Sequence, residues 1–105
     1  MIVYNVTIKI DSNVETEWLD WMQSYHIPDV LNTGCFEDAK IQKLLGYDDE
    51  EGMTYSVQYR AKTMEDIDRY QADFAPKLQK EHTDRYKDRF VAFRTLLDEI
   101  QHFNP

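Results

Sequence analysis

An α+β fold with strands and helices in the order β-α-β-β-α-β is what this sequence predicts, on two observations. The apolar period switches four times along the chain between two and about 3.6. The 105 residues, 42% hydrophobic and 13% aromatic, also carry enough apolar surface for one core. Elements in this order make a four-stranded antiparallel sheet with two helices on one face, and a single domain over residues 1–105 is expected.

Residues 2–10 alternate, with Ile2, Tyr4, Val6, Ile8 and Ile10 on one face and Val3, Asn5, Thr7 and Lys9 on the other, so they read as the first strand. Asp11, Ser12 and Asn13 offer capping oxygens ahead of Glu15 and Glu17, whose charges suit the positive end of a helix dipole. Helix one is expected to start near residue 13 or 14. Val14, Trp18, Trp21 and Tyr25 form one stripe on it and Met22, His26 and Val30 an adjoining row, and this face is expected to be buried. Pro28 disfavours helix at Ile27 and lacks a donor, which predicts a kink or restart at His26, Ile27 and Pro28. Asn32, Thr33 and Gly34 then end the helix.

Residues 35–45 and 53–61 read as two strands joined by an acidic hairpin with glycine at both ends, Gly46 and Gly52. Met53, Tyr55, Val57, Tyr59 and Ala61 give the third strand its apolar face. Thr63 with Asp66 approaches a capping box, and Met64, Ile67, Tyr70, Phe74 and Leu78 carry a helix over roughly residues 64–87, bent at Pro76 and continuing through His82 and Tyr86. Residues 90–97 form the last strand.

Charge and cysteine usage exclude several classes of function. Twenty acidic against 12 basic residues leave a net charge of −8, which repels a phosphate backbone and anionic lipid, so neither nucleic acid nor membrane is an expected partner. Cys35 has no second thiol to pair with and sits in no metal-ligand spacing, which fits a reducing compartment. It reads as a small buried hydrophobe at the start of strand two. The chain opens directly on a strand, with no basic leader and no apolar run near the roughly 20 residues of a membrane helix, so a cytoplasmic location is expected. The Asn5-Val6-Thr7 sequon then has no use.

No Gly-rich phosphate loop or serine elbow occurs. The run Asp48, Asp49, Glu50 and Glu51 lacks the alternating oxygens of a calcium loop and reads as a solvated hairpin tip, so no metal is expected. The densest chemistry lies on helix one. His26 can serve as an acid or base near neutral pH, or can simply cap the broken turn before Pro28. His82, between Leu78 and Tyr86 on the inward row of helix two, either acts with Arg85 or Tyr86 or is structural. Trp18, Trp21 and Tyr25 make either a ligand pocket or plain core. A mechanism free of metal and cofactor would use His26 for proton transfer, Trp21 and Tyr25 to shape the pocket, and Asn5 or Tyr86 to hold a substrate oxygen. The competing class is a non-catalytic interaction module whose aromatics are only core. The outward sheet face keeps Val3, Val91 or Phe93, and Ile41 or Leu44 according to parity, which is more apolar surface than a small monomer usually leaves open, so a homodimer through that face is expected.

The order of elements, with Tyr25, His26, Ile27, Pro28, Asp29, Val30 and Leu31 late in helix one, resembles the dimeric α/β-barrel superfamily of ferredoxin-like domains. The whole chain also resembles an uncharacterised bacterial family of short domains of unknown function, which opens with Met-Ile-Val-Tyr-Asn-Val and ends near Arg89-Phe90-Val91-Ala92-Phe93-Arg94-Thr95-Leu96-Leu97. The first resemblance implies pairing of two ferredoxin-like sheets into a barrel and a pocket between sheet and helices near Trp21, Tyr25 and His26, while leaving the chemistry open. Haem-degrading members use a histidine on helix two and an asparagine on strand one, a pattern that His82 and Asn5 match, although both tryptophans here are on helix one. Polyketide cyclases of the superfamily pair a tyrosine with a histidine six residues on; Tyr70 fits the first position, but Pro76 occupies the second.

Overall fold

The computed structural model describes residues 1–47 and 50–105 and contains one antiparallel sheet in the order β2-β3-β1-β4. Its strands are β1 (Ile2–Asp11), β2 (Asp38–Lys43), β3 (Gly52–Ala61) and β4 (Phe90–Asp98). The helices are α1 (Glu15–Trp21), a π-helical turn (Met22–His26), α2 (Ile27–Leu31), α3 (Met64–Asp73) and α4 (Ala75–Arg85). The fold is therefore the expected β-α-β-β-α-β arrangement, with each helix of the pattern divided into segments.

β1 and β3, each with five alternating apolar residues on one face, are the two inner strands of the sheet. Tyr4, Val6, Ile8 and Ile10 are buried on its inner face and pair across to Tyr59, Val57, Tyr55 and Met53 of β3. On the other side, Ile8 and Ile10 pair with Ala92 and Phe90, which fixes the parity of β4. Phe90, Ala92 and Arg94 face the helices, while Val91, Phe93 and Leu97 face away with Lys9, Thr7 and Val3. Ile41 pairs with buried Val57 and so stands on the inner side. The outward apolar strip thus runs along β4 and does not cross the sheet to Ile41.

β2 is shorter than the expected span over 35–45. Cys35 and Phe36 are buried ahead of it, Phe36 against Tyr70, Tyr59 and Tyr4, so Cys35 belongs to the connection and not to the strand. Gly34, with φ of 78°, closes α2 as its sequence position suggested. Asp48 and Asp49 of the acidic tip lie outside the described residues.

Pro28 breaks helix one in a particular way. Lacking an N–H, and with a ring that crowds the carbonyl four residues back, it is accommodated by a widened turn just before it, where the Ile27 N–H donates to the Met22 carbonyl five residues earlier. The four-residue row Trp18, Met22, His26, Val30 thereby becomes the inward one, with Trp18, Met22 and Val30 fully buried. Tyr25, expected inside, is 62% exposed, because the widened turn carries it off the buried stripe. Met64 is likewise exposed at the start of α3, where Thr63 caps the helix by accepting from the Asp66 N–H. Pro76 fits the first turn of α4, and the helix bends at Phe74, whose φ of −125° leaves helical geometry while its N–H still donates to the Tyr70 carbonyl and its own carbonyl accepts from Leu78.

Gly52 pairs with Asp11 where β3 begins alongside β1. A Cβ there would stand 2.3 Å from the backbone oxygen of Ile10, which is held by the central strand and cannot retreat. Gly52→Ala is expected to destabilise the fold by about 1–3 kcal/mol, read as a lower urea midpoint; an unchanged midpoint would contradict this packing.

Candidate functional site

The inner face of the sheet and the helices enclose a small cavity. Tyr4 and Val6 of β1 form its floor, Met22 and His26 close one side, and Gln79 and His82 of α4 close the other. Tyr59 and Tyr70 complete the interior, and Arg94 reaches in from β4. The free space is about 30 Å³, which holds a water molecule or two.

His82 is the fixed point of the site. The indole N–H of buried Trp18 donates to its Nε2 at 2.9 Å, so the proton of the neutral ring is on Nδ1. Phe90 meets the imidazole edge to face with centroids 4.4 Å apart. His26 lies 5.6 Å from His82 between centroids, and Trp21 stacks on its other side at 5.1 Å. The Nδ1 of His26 is buried without a hydrogen-bond partner, a rare condition for a polar atom.

Burial holds both imidazoles well below their ordinary value of 6.5, each to about 4. For His26 the nearby Asp29 carboxylate opposes this and Arg94 reinforces it; for His82, His26 and then Arg94 add to it. The Tyr4 phenol is raised, chiefly by burial, against the nearby Arg94 guanidinium and Gln79 amide, which favour its ionised form. Burial also pushes the Tyr59 and Tyr70 phenols up. Near neutral pH the cavity therefore presents two neutral imidazoles, three neutral phenols and one guanidinium, and its lining includes no carboxylate.

His26 and His82, singled out on different helices, meet here. Trp21 backs His26 from outside the cavity, under the Arg85 guanidinium at 5.4 Å. The Tyr86 ring packs on His82 and Trp21, while its hydroxyl donates toward Glu17 and accepts from Arg85 at the surface. Asn5 is on the opposite face of the sheet, where its amide donates to Thr7 and its carbonyl accepts from Ser56. Tyr25 points to solvent. Arg94, Tyr4 and Gln79 were not singled out from the sequence. The readable signal was Arg94, a charged residue at the inward parity of Phe90 and Ala92.

A haem does not fit these residues: His82 Nε2 is already engaged by Trp18, and Asn5 is across the sheet. Among the described residues no three His, Cys, Asp or Glu side chains converge to hold a metal ion. None of the helices among them is long and apolar enough to cross a membrane.

Sheet, helices and interior cavity define a ferredoxin-like α+β domain. The chain belongs to the family described as a domain of unknown function, DUF4286, whose model matches residues 1–100. A comparison with curated proteins finds no match. Among solved structures it is similar to a dimeric ferredoxin-like protein from an uncultured marine organism, at TM-score 0.72 and 12% identity over 100% of both chains. It is also similar to a protein assigned as an antibiotic biosynthesis monooxygenase from Deinococcus radiodurans, at TM-score 0.69 and 6% identity over 100% of this chain and 98% of that one. A third is a variant of SnoaB, a cofactor-independent oxygenase from Streptomyces nogalater, at TM-score 0.64 and 12% identity over 99% and 98%. At these identities the likeness concerns the fold alone.

Because both histidines resist protonation in the fold, the unfolded chain binds more protons between pH 6.5 and about 4. Stability is full above pH 6.5 and is expected to fall as pH drops through that window, by about 1.4 kcal/mol per pH unit for each histidine. Urea midpoints at pH 7 and pH 5 measure it, and His82→Phe should flatten the slope; equal slopes with and without His82 would refute the assignment.

Proposed function

We propose that this domain binds a small apolar or aromatic molecule between sheet and helices, with His26 as the group that contacts it and can give or take a proton. The observation that carries this is the unpartnered Nδ1 of His26 on a side chain lining an interior cavity. A buried polar atom without a partner costs about 1–3 kcal/mol, and a ligand or water in the cavity would relieve it. His82, oriented by Trp18, keeps its Nδ1–H as a second donor. A molecule larger than water requires the helices over the cavity to move away from the sheet. Aromatic acids raising the melting temperature would support this reading, since a ligand at 100 times its Kd stabilises by about 2.7 kcal/mol. His26→Ala is expected to abolish that shift while circular dichroism stays native. Loss of folding in the variant would assign His26 a structural role instead.

The working unit in this proposal is a homodimer paired through the outward sheet face. Val91 and Phe93 of β4 are 68% and 64% exposed and stand in one row with Leu97, a strip that a second sheet would cover. The dimeric ferredoxin-like protein of the same fold supports self-association. Phe93→Glu, which sets a charge in that strip, is expected to halve the mass measured by light scattering and leave the helix and strand content intact. A wild-type chain that is already monomeric would overturn the pairing.

A further inference from the structure

Arg94 stands at a position where this sheet otherwise turns apolar side chains toward the helices. It faces Val6 across the ladder, two residues beyond Ala92 and four beyond Phe90 on the same side of β4. It lines the cavity together with Tyr4, His26 and His82, and its charge favours the ionised form of the phenol and the neutral form of both imidazoles. The chain has five arginines and 20 acidic residues. Arg60, Arg69, Arg85 and Arg89 each pair with a carboxylate: Asp38, Asp66, Glu17 and Asp11. Among the described residues Arg94 alone of the arginines has no such pair, and the cavity it reaches is lined by no acid. In a chain of net charge −8, this is a cation kept clear of counter-ions.

We infer that the cavity selects a monoanionic ligand, a carboxylate on a small apolar or aromatic body, with Arg94 as its counter-ion. The inference rests on the reading of the cavity as a ligand site and names the chemistry of what enters. A planar guanidinium matches a carboxylate through two parallel N–H···O bonds. Gln79 lines the same cavity as Tyr4 and Arg94, and the Nδ1–H of His82 supplies a further neutral donor. Val6, Val57, Met22 and Ala92 form walls for the apolar body. One fixed cation amid neutral imidazoles and phenols suits a single negative charge better than a phosphate dianion, which recruits several cations or a helix N-terminus.

The test is a titration of the ¹⁵N-labelled full chain with benzoate and butanoate, each against its neutral amide, benzamide and butanamide. The reporter is the indole N–H of Trp18, which is bonded to His82; with two tryptophans in the chain, Trp21→Phe assigns it. At least one acid is expected to shift that resonance saturably and to bind about tenfold or more tighter than its amide. Arg94→Gln should bring the acid down to the amide's affinity, and Arg94→Lys should fall between. Because Arg94 is exposed on an edge strand, both variants are expected to keep the native spectrum elsewhere. Equal binding of acid and amide, unchanged in Arg94→Gln, would overturn the anion selectivity and leave the ligand site standing. No saturable shift with any of the four probes would overturn both.

Discussion

The bond from the Trp18 indole to His82 Nε2 organises this molecule. Its two residues are 64 positions apart and belong to the two helical arms that cover the sheet. Inside a core where water cannot substitute, a lone indole N–H or imidazole nitrogen would carry its full desolvation cost, so each group requires the other. The bond sets the tautomer of His82 and the packing of α1 on α4. It also fixes the height at which His26, two turns further along the same row, enters the interior.

The widened turn before Pro28 is the second constraint, and it acts through phase. A regular helix interrupted by proline would lose a hydrogen bond and turn its later side chains progressively off axis. The five-residue bond from Ile27 to Met22 resolves the collision and keeps Trp18, Met22, His26 and Val30 in a line. Tyr25 is displaced to solvent by the same adjustment. A local backbone irregularity therefore decides which of two neighbouring aromatic side chains belongs to the interior, and the histidine it turns inward keeps an unpartnered nitrogen.

The two faces of the sheet divide the possible work between them. The inner face combines neutral imidazoles and phenols with one guanidinium, and the buried Tyr4, Tyr59, Tyr70 and His82 stand where water is largely excluded, so their donors are stronger than they would be at the surface. The outer face carries the hydrogen-bonded set Asn5, Thr7 and Ser56 toward its middle and an apolar strip along β4. Arg94 and Phe93 are adjacent in sequence yet serve opposite faces, as a strand's period of two requires.

Sequence alone determined the order of elements, the cap at Thr63, the interruption at Pro28 and the bend near Pro76, since all of these follow from periodicity and backbone chemistry within a few residues. It marked His26 and His82 as chemically capable. Only the tertiary structure decided that they meet, that Asn5 lies across the sheet from them, and that Arg94, Tyr4 and Gln79 join them. Those facts depend on register between strands and on the rotation of helices over the sheet. Both are set by packing between residues far apart in the chain, and local pattern carries no record of that.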